Sequence, residues 1–80
     1  MQVFILDFLY NFFVEDLGAK IKTLRIAAGY TQPQLAEKVG VSKAVISFWE
    51  NSVNEPKASY IKMLAKIFNV SADYLLGLED

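Results

Sequence analysis

Apolar positions along the chain follow two regimes that meet near Asp16. Residues 3–14, VFILDFLYNFFV, are apolar almost throughout, and the polar residues Asp7, Asn11 and Glu15 recur at i, i+4 and i+8. Wound at about 100° per residue, that series forms one narrow stripe. Phe4, Ile5, Phe8, Leu9, Phe12 and Phe13 cover the remaining circumference with Leu6 and Tyr10. A helix so apolar needs burial on more than one side. A strand is the competing reading, because Phe4, Leu6, Phe8, Tyr10 and Phe12 would line one face and are strong β-formers. The expectation is an N-terminal hydrophobic helix, with the strand left open by so short a run.

Beyond Asp16 the periodicity is regular. Leu17, Ile21, Leu24 and Ala28 recur at helical spacing with Lys20, Lys22 and Arg25 between them, and Gly29 ends the element. Thr31 is a suitable N-cap for a second helix carrying Leu35, Ala36 and Val39. Pro33 falls in its first turn, where a missing N–H costs nothing. Gly40 and Val41 break the chain, and Ser42 caps a third helix with Val45, Ile46 and Trp49 as its apolar residues. A polar loop from Asn51 to Pro56 leads to a fourth helix at 58–68, with Ile61, Leu64, Ala65 and Phe68 on one face. Ser71 caps a short fifth helix, Asp73 favours its dipole, and Gly77 stops it. The pattern predicts an all-α chain: an extension over 1–16 and a five-helix domain over 17–78.

Charge sharpens this division. The formal net charge is −1, which taken alone argues against a polyanionic partner. All eight Lys and Arg, however, lie between Leu17 and Leu76 with only Glu37, Glu50, Glu55 and Asp73 as acids, a surplus of four positive charges. The other acids sit at the two ends. There is no Cys, which excludes disulfides and thiolate metal sites, and no His, the commonest zinc ligand and general base. No Gly-rich phosphate loop or cleft of paired carboxylates stands in for them, so no enzyme, cofactor or small-molecule ligand is expected. The apolar run has no basic residue before it and is shorter than the roughly 20 residues of a spanning helix, so neither a signal peptide nor a membrane partner is expected.

Residues 31–50, TQPQLAEKVGVSKAVISFWE, meet the steric demands of a helix-turn-helix in register. Ala36 is the small residue needed where the two helices cross. Gly40, four residues on, tolerates positive φ in the turn. Ile46 and Trp49 plug the core between the helices. Gln32 brings an amide and a helix N-terminus to where a phosphate could bind. On these residues, 17–78 resembles the Cro/C1-type (xenobiotic-response-element) family of DNA-binding domains, over about three-quarters of the chain. The matching segments are LGAKIKTLRIAAGYTQPQLAEKVGVSKAVISFWEN and EPKASYIKMLAKIFNVSADYLLGL.

The resemblance implies a lambda-repressor-like fold, double-stranded DNA as partner, frequent homodimerisation and a regulatory role in the cytoplasm. It makes Ser42 to Asn51 the recognition helix, with Lys43, Ala44, Ser47 and Phe48 facing the major groove. Lys43 suits a guanine edge or a phosphate, Ser47 a base or a phosphate, and Ala44 and Phe48 a thymine methyl. Thr31, Gln32, Ser42 and Asn51 become candidates for phosphate contact. Arg25 and Glu50 match a pair that ties the first helix to the recognition helix. Two departures stand out: the loop 51–56 has no positive charge, and Phe48 replaces a residue that is often polar or basic. A repressor acting by operator occlusion is the expectation, each subunit of a dimer reading a half-site about one helical turn (~34–36 Å) from the other.

The N-terminal run admits four readings: a dimerisation element, an intramolecular cover, a partner-binding segment, or a mis-assigned start. Self-association through Phe4, Ile5, Phe8, Leu9, Phe12 and Phe13 is preferred, because apolar surface outside a complete core needs burial. The alternative from another class is a protein-interaction module, such as an antitoxin-like adaptor that grips another protein with this run.

Overall fold

The computed structural model describes residues 16–78. The expected N-terminal helix over residues 3–14 and the six dimerisation residues from Phe4 to Phe13 lie outside them. Within the described residues the chain is helical and contains no strand: α1 Leu17–Ala27, α2 Gln32–Val39, α3 Lys43–Glu50, α4 Ala58–Phe68 and α5 Ala72–Leu75.

Each helix begins where the sequence supplies an oxygen for an orphan N–H, α4 excepted. Asp16 Oδ1 accepts from Ala19 N at 2.8 Å, and Ser42 and Ser71 cap α3 and α5 through Val45 N and Tyr74 N. Thr31 forms a full capping box, its hydroxyl accepting from Gln34 N while its own N–H donates to Gln34 Oε1 at 2.8 Å. Lys57 precedes α4 without a side-chain cap. Gly40 sits at φ +85° and carries the chain out of α2, its N–H donating to Ala36 O. Only Val41 and Ser42 then remain before α3, so the turn between the two helices is tight.

Ile21, Leu35, Ile46, Leu64 and Leu75, one from each helix, are fully buried and form the core with Ala36, Val39, Trp49 and Ala65. Helix α3 packs chiefly on α1 and α2, and α4 and α5 close the remaining side. Trp49 reaches the Tyr60 ring, centroids 5.3 Å apart, and so joins α3 to α4. The predicted elements agree with these bounds except at the end of α1. There Ala28, expected on the apolar face, is the exposed C-cap and packs nothing.

Two close approaches went unread in the pattern. Gly18, in the first turn of α1, lies against the C-terminal end of α3: a Cβ there would fall 2.4 Å from Trp49 O and 2.9 Å from Ser52 Oγ. Lys20 is buried, its ammonium donating to Tyr74 O at 2.8 Å and standing 4.8 Å from the Tyr74 ring centroid. It lies on the stripe of Leu17, Ile21 and Leu24, and this position was the available signal. Its stem packs inward while its charge caps the Tyr74 carbonyl at the end of α5.

Candidate nucleic-acid interface

Helix α3 is held by a charged network at its base. Arg25 on α1 donates from Nε to Glu50 Oε2 at 2.6 Å and from Nη2 to Glu50 Oε1 at 3.2 Å. Its Nη1 donates to Tyr30 O at 2.9 Å, in the connection between α1 and α2. Gln32 Nε2 on α2 donates to the same Glu50 Oε1 at 3.0 Å. The two charged side chains are 12 % and 2 % exposed, so solvent screens this pair little. One carboxylate at the end of α3 thereby receives hydrogen bonds from both helices beneath it. The fork of Arg25 fixes the rotation of α3 about its axis as well as its distance from α1.

That rotation leaves Lys43 and Ala44 exposed and Ser47 half-buried on the outer side, one turn apart along α3. At the N-terminus of α3, Ser42 takes the N–H of Val45, so the cap leaves those of Lys43 and Ala44 free to meet an anion. At the N-terminus of α2, Thr31 takes the N–H of Gln34 and Pro33 has none, so only that of Gln32 is left over. Thr31 and Ser42 are exposed beside these donors. Asn51 caps the C-terminus of α3 and turns back on it, Nδ2 donating to Ser47 O at 2.9 Å and to Ser47 Oγ at 3.3 Å. Ser47 and Asn51 thus form a linked polar pair.

Ala36, Gly40, Ile46 and Trp49 occupy the crossing and the turn: Ala36, Ile46 and Trp49 are buried, and Gly40 is left-handed. Phe48 stands apart from the other outward residues of α3. It is 45 % exposed and lines a groove of about 330 Å³ between α3 and α4 with Val41, Val45, Trp49, Pro56 and Tyr60. The sequence did not single out Tyr30 O as an acceptor for Arg25, nor Gln32 as a partner of Glu50. Both depend on tertiary placement that spacing does not encode.

Five short helices around one core, with α2 and α3 joined by a left-handed glycine turn and α3 buttressed from below, define a helix-turn-helix domain. The helix-turn-helix family model matches residues 21–75, and the chain belongs to that family. It is 38 % identical over 65 residues to the HTH-type transcriptional regulator ImmR of Bacillus subtilis, covering 81 % of this chain and 51 % of that protein. The fold is similar to that of the P22 c2 repressor, solved in complex with a synthetic operator (TM-score 0.77, 35 % identity, 82 % of this chain and all of that one). It is also similar to SinR, a master regulator for biofilm formation solved in complex with DNA (TM-score 0.68, 32 % identity, 74 % of this chain and 95 % of that one). The chain spans about half the length of the first curated relatives it matches.

Proposed function

We propose that this domain binds double-stranded DNA through α3 and serves as a small transcriptional regulator, a repressor that occludes its operator as a homodimer. The observation that carries this reading is the buried Arg25–Glu50–Gln32 network, which holds α3 as a rigid rod with Lys43, Ala44 and Ser47 turned outward. A helix presented in this way fits the major groove, which is about 12 Å wide. Lys43 and Ser47 supply donors to base edges or phosphates, and Ala44 supplies a small apolar surface for a thymine methyl. The free N–H groups at the starts of α2 and α3, flanked by Thr31, Gln32 and Ser42, suit two phosphates of one strand. Asn51 contributes at the far end of α3. Two similar proteins were solved in complex with DNA, which supports DNA as the partner. On this reading the protein works in the cytoplasm, beside DNA, and catalyses no reaction.

A second reading, a protein-interaction module, draws on the neutral loop 51–56 and on the exposed Phe48. Selection from a randomised duplex pool separates the two. Enrichment of a two-fold-related motif, lost with Lys43→Ala and Ser47→Ala, is the result expected for DNA readout. A pool without enrichment, bound equally weakly by wild type and variants, would favour the second reading.

A further inference from the structure

The groove between α3 and α4 lies beside the place where the N-terminal run joins the domain. Asp16 caps α1, and its other carboxylate oxygen accepts from Ser52 Oγ at 3.3 Å, just after α3. A smaller cavity of about 180 Å³ runs from Asp16, Leu17 and Gly18 to Trp49 and Pro56. The larger groove shares Trp49, Asn54, Glu55 and Pro56 with it and continues along Val41, Val45, Phe48 and Tyr60. The two form one path that starts at the last residue before the domain, with Asp16, Ser52, Asn54 and Glu55 on its near edge and an apolar far end of Val41, Val45, Phe48 and Tyr60.

We infer that this groove is an intramolecular docking surface, and that its occupant is the chain's own apolar run, residues 3–14. The attachment point puts that run at the mouth of the path, with no linker to cross. As the helix its sequence favours, the run is about 18 Å long. The run carries a single charge, Asp7, and the groove has Lys57 and Glu55 side by side, so the fit is chiefly apolar. Phe48 is the most exposed apolar residue of the lining, and seated against the run it becomes interface rather than base-reading surface. Because the run is apolar on more than one side, docking in the groove leaves a second apolar face for another copy of the chain. The inference does not depend on DNA binding.

The chain contains no cysteine, so a nitroxide can be placed at one position of the full-length protein. Asn11→Cys puts it on the polar stripe of the run, and Asp7→Cys gives an independent second position there. Amide spectra are recorded for an isotope-labelled, spin-labelled chain diluted in unmodified protein. A second sample mixes isotope-labelled wild type with spin-labelled chain that carries no isotope. The expected result is loss of most signal intensity at Val41, Val45, Phe48 and Tyr60 in the first sample, little change in the second, and recovery when Phe48→Asp is added. Loss confined to the mixed sample would assign the groove to a second copy and overturn the proposal. Loss centred instead on Ile26, Met63 or Leu76, or none anywhere, would overturn it as well.

Discussion

Glu50 is the residue on which the geometry of the domain converges. Its carboxylate is nearly inaccessible, and Arg25 and Gln32 supply three hydrogen bonds to its two oxygens. A buried charge that loses its counter-charge is expensive, whereas loss of both charges together is far less so. Arg25→Met is therefore expected to lower the unfolding free energy by about 3 kcal/mol in denaturant titration. The double variant Arg25→Met with Glu50→Gln should recover much of that. Equal destabilisation by the single and double variants would mean that the pair contributes only through packing. The pairing of Arg25 with Glu50 was anticipated through the family resemblance. The third member, Gln32, was expected at a phosphate because its place in the motif brings an amide and a helix N-terminus together. Its amide nitrogen is partly engaged with Glu50, and this leaves the free N–H of its own backbone as the better donor toward DNA.

Between elements, α1 comes very close to the end of α3. Gly18 has no side chain to hold the two apart, and the carbonyl of Trp49 occupies the space a Cβ would need. Carbonyl and helix backbone cannot step aside as a side-chain tip can, so Gly18→Ala must shift α1 against α3. A loss of about 2 kcal/mol or more is expected, read as a lower thermal midpoint. DNA affinity should fall with it, since the base of α3 moves. Unchanged stability would show that the approach is looser than described. The five helices were legible because caps and stops stand at their ends: Thr31, Ser42, Ser71, Gly40 and Gly77 each announce a boundary. Gly18 and Lys20 were not legible in the same way. A glycine in a first turn and a lysine among charged neighbours have ordinary local meanings, and only packing against α3 and α5 gives them their roles.

At the scale of the molecule, the described domain presents little positive charge to a duplex. Lys43 is the one cation on α3, Lys38 leans over the Tyr30 ring 5.1 Å from its centroid, and residues 51–56 bring none. Roughly 3–5 phosphate contacts per subunit imply a slope in log K against log salt of about −3 to −4.5 per subunit and about twice that for a bound dimer. A steeper slope would point to cations beyond α2 and α3. Such lean contact also makes a second subunit valuable, since two half-sites bound together multiply their affinities. The motif of residues 31–50 identified the scaffold from sequence, but the division of α3 into an outer row of Lys43, Ala44 and Ser47 and a groove-facing Phe48 required the position of α4. The central claim is that α3, with the start of α2, is the surface that meets DNA. It is tested most directly by titrating a pool-selected duplex into isotope-labelled protein and following each amide. The account predicts that the largest shifts fall at residues 31–34 and 42–48, with those of α5 unmoved. Shifts confined to α4 and α5, or absent altogether at a concentration where the duplex is bound, would contradict it.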